Sequence, residues 1–102
     1  VRFYFSIISC NKNIDKLSTL RNTWVSDINK NNFKYNFFVG NGNTDKDIIS
    51  LDCNDGYEFL RYKTFKMLEH VYNNVEFDFI VKTDDDTFVD IGNLINFDLK
   101  DY

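Results

Sequence analysis

Proline and alanine are absent from this chain, cysteine occurs twice and histidine once. Each shortage removes a class of explanation. Cys10 and Cys53 are too few for a disulfide framework and lack metal-ligand spacing, so they read as buried free thiols. His70 has no His, Cys or suitably spaced carboxylate to form a metal or catalytic pair with, and reads as a surface residue. No apolar run is long enough to span a bilayer, which predicts no membrane contact from this segment itself. An excess of positive charge is missing too, and a net charge of −4 argues against a nucleic-acid partner gathered by a basic surface. Gly40 and Gly42 have neither the spacing nor the Lys-Ser/Thr ending of a phosphate-cradling loop. No Asn-x-Ser/Thr glycosylation acceptor is present.

What is there is apolar and aromatic. With 43% hydrophobic and 18% aromatic residues in 102, the chain reads as globular, and its length allows one domain or part of one. It begins at Val1, not Met, which predicts a processed or excised segment with any signal or anchor outside it. Phe3 to Ser9 reads as a buried strand. Leu17, Leu20, Trp24, Val25 and Ile28 then recur at the spacing of one helical face, with Asn13 or Asp15 as caps. Lys34 to Val39 is a second strand, closed by the turn-rich Gly40 to Thr44, and Ile48, Ile49 and Leu51 make a short third. Tyr57 to Tyr72 is a second helix with Leu60, Thr64, Met67, Leu68 and Val71 on one face and Lys63 at its edge. Ile91, Leu94, Ile95 and Phe97 suggest a short last helix capped by Asp90. The order β-α-β-β-α-β predicts an α/β layered domain.

Phe77 to Val89 organises the rest. Phe77, Phe79, Ile80 and Val81 are clustered rather than alternating, which suits a strand buried on both faces, and the run stops at Asp84, Asp85 and Asp86. Ligands of open α/β sheets gather at the carboxyl ends of strands. Three adjacent carboxylates repel one another, and a divalent cation such as Mn²⁺ or Mg²⁺ relieves that repulsion while bridging to substrate phosphate. The plain alternative is three aspartates in a solvated turn. An EF-hand loop starting at Asp84 is excluded, because Phe88 and Val89 fill the positions of an oxygen ligand and a glycine. Thr87 and Phe88 likewise fit a haloacid-dehalogenase-type phosphatase motif poorly. Arg21 is out of place: at about 40° from both Leu17 and Val25 it projects into the apolar arc. Its guanidinium either snorkels at the sheet edge or finds a phosphate or carboxylate.

Several segments in order resemble the β-1,3-galactosyltransferase and Fringe family of glycosyltransferases. They are Leu20-Arg21-Asn22-Thr23-Trp24, Phe37-Phe38-Val39-Gly40, Asp47-Ile48-Ile49 with Asp52, then Asp55, Tyr57, Leu60, Lys63-Thr64 and Val81 to Val89. The resemblance implies a GT-A, Rossmann-like nucleotide-sugar-binding sheet, with residues 1–102 forming a single partial domain that ends after the DxD motif. It implies an inverting hexosyltransferase that moves galactose or N-acetylglucosamine from a UDP-sugar to a glycan or glycoprotein hydroxyl in β-1,3 linkage. By resemblance Asp86, with Asp84 assisting, holds Mn²⁺ or Mg²⁺. Asp85 faces the ribose or sugar, and Arg21 and Lys63 belong to the nucleotide-sugar site. The general base is expected beyond Tyr102, and the compartment expected from the family is the Golgi lumen, within a membrane-anchored protein. Phe59 and Arg61 depart from the family's Tyr-x-Asn-Leu-Thr-x-Lys stretch, and its cysteines near the acidic motif are missing. The competing readings are a non-catalytic nucleotide-sugar-binding module and a metal-dependent phosphohydrolase.

Overall fold

A computed structural model describes residues 2–42, 44 and 46–95. The first strand, β1 (Phe3–Ile8), alternates strictly between two faces. Phe3, Phe5 and Ile7 join one core cluster, while Tyr4 and Ile8 join another. This alternation makes β1 the shared wall of two hydrophobic layers. After it come a 3-10 turn at Asn11–Lys16, α1 (Leu17–Arg21), α2 (Trp24–Lys30), β2 (Lys34–Val39) and β3 (Ile48–Ser50). A 3-10 turn at Tyr57–Phe59 leads into α3 (Leu60–Asn74), followed by β4 (Phe79–Asp84) and α4 (Ile91–Ile95). The four strands form one sheet in the order β3-β2-β1-β4, with every pair parallel.

Helices cover both faces, as parallel sheets require. Leu17, Trp24, Val25, Ile28 and Ile91 pack with the first cluster, and Met67 and Val71 of α3 with the second. The expected single helix from Leu17 to Ile28 is interrupted at Asn22-Thr23. Thr23 Oγ1 donates to the carbonyls of Thr19 (2.9 Å) and Leu20 (3.2 Å), and its backbone leaves the helical region at φ −113°, ψ −119°. Local hydroxyl bonds of this kind compete with the helical ladder. The apolar spacing survives the break, because Leu17, Trp24, Val25 and Ile28 all remain buried and Leu20 packs half-buried against the same cluster.

Three other expectations need correction. β4 is not buried on both faces: among the described residues it pairs only with β1, Phe79 is 40% exposed, and Ile80 and Val81 are half-buried. Clustered apolar residues cannot by themselves tell a central strand from an edge. The inward stripe of α3 is Lys63, Met67 and Val71, whereas Leu60 and Leu68 are exposed. Asn13 and Asp15 cap nothing, since no side-chain cap bond opens the 3-10 turn or α1. Asp90 does cap α4, accepting from the Asn93 backbone N–H at 3.0 Å. Phe97 lies outside the described residues. No helix among them is long and apolar enough to cross a membrane.

Candidate functional site

Parallel strands end on the same side, so the register of β1 with β4 brings Ile8 opposite Asp84 and places the acidic run beside Ser9 and Cys10. A cleft of about 490 Å³ opens there. Ser9, Cys10, Lys12 and Asn13 form one wall, Asp55 to Tyr57 with Leu60 and Lys63 another, and Asp84, Asp85 and Asp86 a third. Asp84 ends β4, while Asp85 and Asp86 form the turn that follows.

The three aspartates are held differently. Asp85 Oδ2 accepts from Ser9 Oγ at 2.8 Å and from Asn13 Nδ2 at 3.1 Å. Asp84 is exposed, and among the described residues its carboxylate has no hydrogen-bond or ion-pair partner; Asp86, also exposed, accepts only a long 3.5 Å bond from Thr87 Oγ1. No group of three or more His, Cys, Asp or Glu able to hold a metal occurs among the described residues. Two exposed carboxylates still suit Mg²⁺ or Mn²⁺, which take one or two protein oxygens and complete the shell with water and phosphate.

Lys63 reaches the cleft from the buried stripe of α3 and is only 3% exposed. Its ammonium donates to the Ser9 carbonyl and to Asp55 Oδ1, the latter at 2.7 Å. Asp55 also accepts from the backbone N–H of Asn11 (2.6 Å), from Asn11 Nδ2 (2.8 Å) and from the N–H of Gly40 (2.5 Å). Burial pushes this carboxyl up, but the Asn11 N–H, the Lys63 ammonium and the Gly40 N–H outweigh burial and hold it below the ordinary carboxylate range.

Arg21 stands apart from the cleft. Its guanidinium grips Asp47 through two bonds, Nε to Oδ2 at 2.9 Å and Nη2 to Oδ1 at 2.7 Å, and lies over the Phe37 ring, 5.2 Å from its centroid. Asp47 immediately precedes β3, at the edge of the sheet opposite β4. Of the anionic partners open to Arg21 from sequence, the structure supplies a carboxylate. Tyr35 donates its hydroxyl to the same Asp47 at 2.6 Å, and its own phenol is pushed up to about 12, by burial first and then by that bond. Asp47 is pushed up by burial but lowered more by Arg21 and Tyr35, so it too lies below the usual range.

Asp47 and Asp55 carry the same sign of pH dependence. A carboxyl lowered in the folded protein contributes stability that is present above its unfolded value of about 4 and lost as pH falls through the folded value. Urea midpoints are therefore expected to fall from about pH 4 downwards, and Asp47→Asn to flatten part of that fall. A midpoint that stays level through the acid range would contradict both pairings.

The three aspartates lie at the strand end where their sequence context puts them, but the residues that hold them were not evident from the sequence. Ser9 read only as the end of a strand, Asn13 as a helix cap, and Asp55 as one of the residues that carry the resemblance, with no role attached; Asn11 carried no signal of its own. Cys10 and Cys53 are both unbridged; Cys53 is buried, and burial raises its thiol, but Cys10 is half-buried in the cleft wall and not a core residue. His70 is also half-buried, edge-on to Phe38 at 5.9 Å between ring centroids. A family model described as Galactosyltransferase matches residues 16–101, a span that includes Arg21, Asp55, Lys63 and the acidic turn but begins after Ser9 to Asn13. Comparison with the curated proteins and with the solved structures gives no match.

Proposed function

The chain belongs to the galactosyltransferase family, and from that membership we propose that the cleft is the donor site of a glycosyltransferase that binds a UDP-sugar with Mn²⁺ or Mg²⁺. The observation that supports this most is the convergence of Asp84, Asp85 and Asp86 with Ser9, Asn13 and Lys63 on one cleft at the carboxyl ends of parallel strands. In this reading Asp86, assisted by Asp84, holds the cation, which neutralises the diphosphate and the charge that grows on the leaving nucleotide. Asp85, fixed by two donors, faces the ribose or sugar. Arg21 steadies the β2–β3 edge through Asp47, and to touch a nucleotide it would have to give up that carboxylate.

The reaction proposed is inverting transfer of galactose or N-acetylglucosamine to a glycan hydroxyl in β-1,3 linkage, on a GT-A sheet, in the Golgi lumen. Direct attack by a hydroxyl requires a general base to accept its proton.

Calorimetric titration of UDP and a panel of UDP-sugars, with and without Mn²⁺, tests the donor site. Binding should require the metal, and Asp86→Ala should weaken it about 10–100-fold or more, the scale on which metal sites respond to loss of supporting groups. Binding of UDP that is indifferent to both Mn²⁺ and the Asp86 substitution would overturn the assignment.

A further inference from the structure

One carboxylate beside the cleft gathers four donors, none of them from the acidic turn. Asp55 takes the backbone and side-chain N–H of Asn11 on Oδ2, and the Gly40 N–H and Lys63 ammonium on Oδ1. Lys63 donates in addition to the Ser9 carbonyl. The segment from Ser9 to Asn11 is therefore clamped at both ends. Its own side chain Ser9 Oγ, and Asn13 two residues beyond Asn11, converge on a single oxygen, Asp85 Oδ2, at 2.8 and 3.1 Å. The strand ladder ends at the pairing of Ile8 with Asp84, so it does not orient Asp85. The hydrogen bonds from Ser9 and Asn13 do.

We propose that Asp55 and Lys63 are positioning residues that hold Asp85 in the cleft through Ser9 and Asn13, and that Lys63 acts through this clamp and not as a ligand of phosphate. The consequence for ligand affinity rests on the donor-site reading; the clamp itself does not. An ammonium that is 3% exposed and already shared between a carbonyl and a carboxylate is costly to redirect, which makes the clamp stiff. Asp85 is half-buried on two neutral donors, while Asp84 and Asp86 stay exposed at the cleft.

The test uses Asp55→Asn, which keeps the volume but turns an NH₂ toward donors that need an acceptor. Two readouts are taken on the same protein. In the first, the side-chain amide signals of Asn13 are followed by ¹H–¹⁵N NMR; Asp85→Asn should shift them in the parent and leave them unmoved in the Asp55→Asn background. In the second, calorimetry with UDP and Mn²⁺ should show Asp55→Asn weakening binding about tenfold, with the losses of Asp55→Asn and Asp85→Asn failing to add. Val71→Ala, which removes core packing from the far end of the same helix, should leave affinity unchanged. If Asp55→Asn does not fold, Ser9→Ala carries the same cycle, with a loss of roughly two- to tenfold for one hydrogen bond. Asn13 signals that respond to Asp85→Asn equally in both backgrounds, additive losses, or an unaffected Ser9→Ala would overturn the proposal. A parent that does not bind UDP, with the Asn13 response as expected, would sink the donor-site reading and leave the clamp standing.

Discussion

Gly40→Ala is expected to destabilise the protein by about 2–3 kcal/mol, near the upper end of the usual cost of overpacking. A Cβ at this position would lie 2.7 Å from the Cys53 carbonyl oxygen and 2.8 Å from both the backbone nitrogen and Oδ1 of Asp55. Two of these three atoms are main chain and cannot swing aside as the end of a flexible side chain would. The backbone of Gly40 also donates to Asp55 Oδ1, so relief of the clash pulls apart the group that holds Lys63. Stability and site geometry should therefore fail together. Urea unfolding measures the first, and metal-dependent UDP binding the second. Gly42→Ala is a useful contrast: the three atoms nearest its Cβ all belong to the side chain of Asn11, 2.6 Å to Oδ1 and 3.2 Å to Cγ and Nδ2. A Gly40→Ala protein as stable as its parent would show that the close approach of the turn after β2 to Cys53 and Asp55 is not required.

Trp24→Ala should cost more, about 3–5 kcal/mol, the usual price of emptying a large aromatic site in a core. Trp24 is 1% exposed, opens α2 and packs against Phe5 of β1 at 6.5 Å between ring centroids. For a domain of this size such a loss lowers the melting temperature by roughly 15–30 °C. Trp24→Phe should be much milder. Among the described residues the indole Nε1–H is buried without a hydrogen-bond partner, so phenylalanine gives up volume but also removes an unsatisfied donor. Calorimetric or circular-dichroism melts of the three proteins order them directly, and a Trp24→Phe protein as weak as Trp24→Ala would mean that the indole N–H is bonded after all.

Much of the frame was legible from the order of residues. Runs such as Phe3 to Ser9 and Lys34 to Val39 are dense in aromatic and β-branched side chains and bounded by polar turns, and they became β1, one residue shorter, and β2. The spacing of Leu17, Trp24, Val25 and Ile28 identified the buried face even though the helix breaks at Thr23, because burial depends on periodicity more than on an unbroken ladder. The apolar run ending at Asp84 put the acidic turn at the carboxyl end of a strand, where the cleft lies.

Other features depended on which segments become neighbours. Whether β4 is central or at an edge is settled by the order of strands, which no local pattern encodes. Arg21 within an apolar arc announced that it needed an anion, but only the placement of Asp47 beside β2 showed which one. Lys63 read as the edge of a helix face and, by resemblance, as part of the nucleotide-sugar site; it is buried because Asp55 and the Ser9 carbonyl meet it there. By itself, then, the sequence determined the order of the elements, the buried face shared by α1 and α2, and the family, since these follow from short-range periodicity and ordered motifs. Only the tertiary structure decided how the acidic turn is held: the bonds Asp55–Lys63, Lys63–Ser9 and Ser9–Asp85 join residues brought together by the parallel register, and a hydrogen bond depends on distance in space, not along the chain.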